Sequence, residues 1–372
     1  MKTPKIFVAA LAVVFLLTAL TVFARPAPES QRDARKPEAK SQEKIYIPKE
    51  VKAIMQEGLA TRQGRQDIPF TVFQDLYFPT QVENLHTLFF FKARNEALGY
   101  VAPAPAPAPK KKGEQPAPAP AEGVLETSLN IFLQFLKTDE SGALTTFHEA
   151  YVPVTLQTES AGYDPAKEEW YSINYLLPPG QYTLAMALTP SKDLKKVGVA
   201  YFDFTLPGPA AYAQTLDITP LFFVKSMEQM QSPENRIMIH KGYFTYSVLQ
   251  IVPDLVETVK PGEQVELFYY VFGARPKSAE PGQQPVYDME INYEVQQEDG
   301  TVAIKWAPST SAITIISQPL PLKQTVKITK GEEEHTETRD LVPGKYTLVV
   351  TVMDKVSGES VQKKLVFEVV QP

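Results

Sequence analysis

The sequence predicts a mainly β protein, with two tandem, duplicated β-sandwich domains behind a short N-terminal helix. Three observations carry this. The run Pro179-Gly180-Gln181-Tyr182-Thr183-Leu184 recurs as Pro343-Gly344-Lys345-Tyr346-Thr347-Leu348, with Leu177 and Leu341 just ahead of the two copies. Each copy continues in strict alternation: Tyr182, Leu184, Met186 and Leu188 share one side, and Tyr346, Leu348, Val350 and Val352 match them. Period-two alternation marks a strand with one face on a core. The repeat also extends in both directions, which is the signature of a duplicated unit.

Downstream, the polar turns Ser191-Lys192-Asp193 and Ser357-Gly358-Glu359 lead to closing strands at Phe202-Asp203-Phe204 and Phe367-Glu368-Val369. Upstream, Leu129-Asn130-Ile131-Phe132 aligns with Ile291-Asn292-Tyr293-Glu294, and Leu88-Phe89-Phe90-Phe91 with Leu267-Phe268-Tyr269-Tyr270. Short strands separated by turn residues, with few helical stretches, argue a sandwich over an α/β fold. The Pro-Gly-x-Tyr corner resembles the one before a late strand of an immunoglobulin-like or fibronectin-type sandwich, where a tyrosine hydroxyl returns to upstream backbone. That assigns Tyr182 and Tyr346 structural roles as tyrosine corners; a ligand-contacting tyrosine is the weaker reading of a position repeated in this way.

A chain of 372 residues is about two domains' worth. The formal charge of −6 becomes −8 once Lys2 and Lys5 are removed with a leader. A mildly acidic chain gives no support for a nucleic-acid partner, which shows as a basic patch. With no cysteine, disulfides, thiol catalysis and cysteine-ligated metals are excluded, so stability rests on burial.

Residues 1–24 read as a signal peptide: a cationic start at Lys2 and Lys5, an apolar run over 6–23, and a small residue, Ala24, at the cleavage position. The alternative is an uncleaved signal anchor, and only then does the protein meet a membrane. Either reading places the remainder outside the cytoplasm: periplasmic, on the outer surface or secreted. Residues 25–47, rich in Pro, Ala, Glu, Lys and Gln, form a disordered tether. Residues 48–67 hold a short amphipathic helix and its lead-in, with Val51, Ile54, Met55 and Leu59 on one stripe. Docking on the first sandwich is the preferred role for this helix, partner binding the other.

The first sandwich is assigned to 68–207, a connector to 208–237, and the second sandwich to 238–372. The Ala-Pro repeats of 102–121, broken by Lys110, Lys111 and Lys112, have the composition of an interdomain spacer. The repeat places them inside the first sandwich instead, as an extended loop between two strands, because the second copy is also proline-rich over 274–285. Lys110, Lys111 and Lys112 are candidate ligand contacts for a partner or an anionic wall polymer, against the plainer reading of a tolerated insertion.

No catalytic, cofactor-binding or metal-ligating set emerges. His86, His148, His240 and His335 lack ligand spacing, and His148-Glu149 begins a zinc-protease motif that Val152 breaks. There is no Gly-x-Ser-x-Gly elbow and no phosphate-cradling glycine loop. Glu168-Glu169 beside Trp170 suggests sugar chemistry, but neighbours on a strand point to opposite faces. Glu332-Glu333-Glu334 with Glu337 reads as a solvated hairpin tip, with divalent-cation binding the lesser reading. The runs Leu88-Phe89-Phe90-Phe91 and Leu267-Phe268-Tyr269-Tyr270 are apolar on both faces and expected to be buried on both. Trp306, which has no counterpart in the first copy, and Trp170 are the candidate aromatic contacts for a glycan.

The run Gly58-Leu59-Ala60-Thr61-Arg62 with Asp67-Ile68-Pro69-Phe70-Thr71-Val72, followed by strands and the Pro-Gly-x-Tyr corner, resembles the β-rich C-terminal regions of exported bacterial von Willebrand factor A-related and GWxTD-domain proteins. The cation site of a von Willebrand A domain and the Gly-Trp-x-Thr-Asp segment are both absent, so the resemblance implies location and fold alone. The expected function is that of a non-enzymatic interaction or scaffold protein of the cell envelope or secretome. It would bind an envelope or secreted protein through sheet edges or loops, without a cofactor. A carbohydrate-binding module taking a cell-wall polymer or glycan is the first alternative, and an envelope enzyme the second.

Overall fold

Alternating, β-branched and aromatic runs dominate the chain beyond residue 69, and they fold as strands because side chains on a pleat point to opposite faces. The computed structural model describes residues 47–80, 84–103, 123–208, 215–234, 237–280, 283–330 and 333–371. Residues 1–24, read from sequence as a leader ending at Ala24, and the lysines Lys110, Lys111 and Lys112 lie outside them. Among the described residues the protein is mainly β, with two short helices, α1 (Lys49–Glu57) and α2 (Asn95–Leu98), and several sheets, none closed.

The first seven strands are β1 (Phe70–Pro79), β2 (Leu85–Arg94), β3 (Val124–Thr138), β4 (Leu144–Glu159), β5 (Glu168–Leu177), β6 (Gly180–Pro190) and β7 (Gly198–Leu206). They form one sheet in the order β1-β2-β5 and a second in the order β4-β3-β6-β7. After them come β8 (Asp217–Ile218), β9 (Phe222–Gln229), β10 (Ile239–Lys241), β11 (Phe244–Tyr246), β12 (Leu249–Asp254), β13 (Thr258–Val259) and β14 (Gln264–Phe272). The remainder are β15 (Met289–Gln297), β16 (Val302–Lys305), β17 (Ser309–Ser311), β18 (Ile315–Pro321), β19 (Lys323–Lys330), β20 (Glu333–Asp340), β21 (Gly344–Asp354) and β22 (Ser360–Val369). Here the sheets run β11-β12-β9-β14-β18 and β13-β22-β21-β15-β16, and β19-β20 pair as a separate hairpin. The order β9-β14-β18 repeats β1-β2-β5, and β16-β15-β21-β22 repeats β4-β3-β6-β7. Between β5 and β6 the chain needs only Pro178 and Pro179, whereas the β19-β20 hairpin fills the same connection in the second half.

The apolar residues sort into four layers. Phe89, Phe91, Ile131, Leu133, Leu184 and Met186 fill the space between the first two sheets. Leu267, Tyr269, Ile291, Tyr293, Leu348 and Val350 do so for the second pair. A third layer joins the pairs: Leu76, Phe78, Leu88 and Phe90 meet Phe222, Val224, Phe244, Ile251 and Phe268. This explains why the β2 and β14 runs are apolar on both faces. Phe89 and Phe91 turn to the first core while Leu88 and Phe90 turn to the seam, and Leu267 and Tyr269 flank the seam residue Phe268. A bulge at Phe73, opposite the step from Phe91 to Phe90, carries β1 from one layer to the other.

The fourth layer sits under α1. Val51 and Met55 are fully buried against Phe132, Leu136, Ala185, Ala187 and Val199, with Ile54 and Leu59 half-buried beside them. The matching face of β15 carries Glu290, Asn292, Glu294 and Gln296, polar residues that need no helix over them.

The span 208–237, read from sequence as a connector, holds β8 and β9, and both pair with β14. The chain then crosses back. In β10, Ile239, His240 and Lys241 pair with Ile173, Ser172 and Tyr171 of β5, extending the first sheet with a strand from the second half. It returns at once to the second half through β11 and β12. The corner is built alike in both halves: the Tyr182 hydroxyl donates to the Pro178 carbonyl and that of Tyr346 to Val342, each at 2.9 Å. Gly180 and Gly344 follow the prolines at φ of +154° and +157°, a region that L side chains avoid.

Candidate functional site

The site grows out of the segment that joins α1 to β1. This segment lies along the start of β7, where the Val199 amide donates to the Arg65 carbonyl at 2.8 Å and Gln66 bridges Gly198. The Val197 amide donates to the Asp67 carboxylate at 3.1 Å. Gly64 and Gly198 stand at these crossings because a Cβ on either would overlap the backbone of Val199 or Ile68. The strap thus covers the first part of the β7 edge and leaves a groove of roughly 450 Å3 beside it. Phe70, Thr71 and Val72 of β1, Val199, Ala200 and Tyr201 of β7, and Arg62, Gln63, Gly64 and Gln66 of the strap line it.

Arg62 is the centre of the polar wall. Its Nε donates to Asp203 Oδ2 at 3.1 Å, and its Nη2 donates to Asp203 Oδ1 and to Thr183 Oγ1, each at 3.0 Å. Thr183 also donates to Asp203 Oδ1. Arg62 adopts a left-handed φ of 58°, uncommon for a residue with a side chain, and these bonds hold it there. Burial alone would raise the Asp203 carboxyl; the bonds from Arg62 and Thr183 outweigh it and hold the group below the ordinary carboxylate range. The Tyr201 hydroxyl donates to the Met55 carbonyl at 2.6 Å, and burial raises its titration above that of a free phenol. Gln66 donates to the Gly64 and Val199 carbonyls at 3.2 and 3.4 Å. The side chains of Arg62, Gln66 and Tyr201 are therefore bound to Asp203, Thr183 and the backbone. What they offer a ligand is a fixed shape with hydrogen-bonding rims.

Among the described residues, those singled out from sequence as candidate contacts are not brought together. Trp170 packs half-buried on the seam, its ring 5.8 Å from that of Phe90, and Trp306 packs half-buried on the second core. Neither stands as part of an exposed coplanar set. Glu168 pairs with Lys92 at 2.9 Å, while Glu169 pairs with Lys167 at 2.8 Å and Lys241 at 3.6 Å. Glu333 and Glu337 lie on β20, where Glu337 pairs with Arg339 at 2.7 Å. His86 bonds the Thr245 carbonyl at 3.1 Å, His240 bonds Glu234 at 2.9 Å, and the His148 ring lies 5.3 Å from Tyr175. Among the described residues no group of three or more His, Asp or Glu side chains is placed to hold a metal ion.

Arg62, Thr183, Tyr201 and Asp203 were not singled out from sequence. Two signals were present. Gly58 and Gly64 bracket Arg62, and Asp203 is a carboxylate between two phenylalanines. Neither signal names the other residue, because Arg62 and Asp203 are 141 positions apart.

No protein-family model matches the chain, and no curated protein matches it by sequence.

Proposed function

We propose that this is an exported, non-enzymatic interaction or scaffold protein of the bacterial envelope or secretome, built from two duplicated immunoglobulin-like sandwiches in tandem. The repeated strand order, the repeated tyrosine hydrogen bond and the repeated Pro-Gly corner support that finer reading of the fold. The leader-like residues 1–24 support export.

The observation that carries the functional reading is the groove between β1 and β7. It is a concave edge where the side chains of Arg62, Gln66 and Tyr201 are already held by other groups of the protein, which suits recognition of another polypeptide better than acid–base or nucleophilic chemistry. Two of the other edges, β4 and β18, are guarded. Pro153 and a bulge at Phe147 interrupt β4, and Pro319 and Pro321 interrupt β18. A partner strand would therefore meet fewer obstacles beside the strap than along β4 or β18.

The test is a cross-linked pull-down from the native envelope with the tagged chain from residue 25 onward. Two variants run beside it: Thr71→Arg, which fills the groove, and a deletion of 102–121. Reproducible capture of one protein, lost with Thr71→Arg and retained by a folded deletion variant, supports the reading. Capture of polysaccharide alone, or of nothing, overturns it.

A further inference from the structure

We draw no further inference here: the strongest candidate, the open end of the β5 edge where half-exposed Leu176 and Met238 stand beyond the reach of β10, carries nothing because nothing in the structure shows what covers it.

Discussion

Arg62 and Asp203 form a two-pronged ion pair that fastens the strap after α1 to the outer face of β7, with Nη2 3.0 Å and Nε 3.1 Å from the two carboxylate oxygens. Both side chains are partly exposed, so the pair is worth about 0.5–1 kcal/mol. Its greater effect is local. Arg62→Ala and Asp203→Ala should each lower global stability by no more than about 1 kcal/mol, while amide exchange over residues 58–67 quickens markedly. Because the Asp203 carboxyl is held low in the folded state, its contribution is present above the unfolded value of 3.8 and lost as pH falls through the folded one. Exchange mass spectrometry at pH 7 reads the strap directly; unchanged protection in both variants would show that Arg62 is not what holds it.

Asp75 works in the opposite sense. It sits on β1 with burial pushing its carboxyl from 3.8 up to about 6. Stability tied to this group is full below pH 3.8 and lost as pH rises through about 6, because the charge is poorly solvated in the folded state. Asp75→Asn should raise stability at pH 7.5 by roughly 1–3 kcal/mol. The variant should also flatten the dependence between pH 4 and 6, as read by urea denaturation at several pH values. A loss of stability at pH 7.5 would contradict the assignment.

His86 lies at the seam, its Nε2 3.1 Å from the Thr245 carbonyl and its ring 5.7 Å from Tyr246, and burial lowers its titration below 6.5. Stability linked to this neutral ring is full above 6.5 and declines as pH falls from there through the folded value. His86→Gln should remove part of the acid loss below pH 6.5. Thermal melts of both proteins from pH 7.5 to 5 give the comparison, and parallel curves would exclude the histidine as the cause.

Phe90 and Phe268 approach the seam from opposite sides and both are essentially buried. Truncating either to alanine should cost about 3–5 kcal/mol. The wild type should unfold in one calorimetric transition, since the seam and β10 tie the two sheet pairs together, and Phe90→Ala should broaden or split it. Two separate transitions in the wild type would show that the seam does not couple the halves.

The two corners predict a graded pair. Tyr182→Phe and Tyr346→Phe each remove one hydrogen bond and should cost about 1 kcal/mol. Gly180→Ala and Gly344→Ala both strain the backbone, by about 1–3 kcal/mol. Gly180→Ala should be slightly the worse, because its Cβ would push aside the flexible end of Lys137 and with it the Lys137 bond to the Pro179 carbonyl, whereas at Gly344 the nearest atom is 3.9 Å away. Equal effects in chemical denaturation would mean that backbone strain alone decides the cost.

The β character of this protein was readable in its residues, because alternation is local: Tyr182, Leu184, Met186 and Leu188 declare a strand whatever lies opposite. The same holds for the stripe of Val51, Ile54, Met55 and Leu59, whose apolar face required a cover and found it on Phe132 and Ala185. The double-faced runs at Leu88 and Leu267 announced burial on both sides without saying against what. That Phe90 meets Phe268's layer, that three residues of β10 complete the edge of β5, and that Arg62 closes on Asp203 were decided only in three dimensions. The reason is physical. A strand's pattern states which face avoids water, but hydrophobic burial is non-directional. Which partner supplies the cover depends on connections and close backbone approaches, such as Gly64 against Val199, that exist only once the sheets have packed.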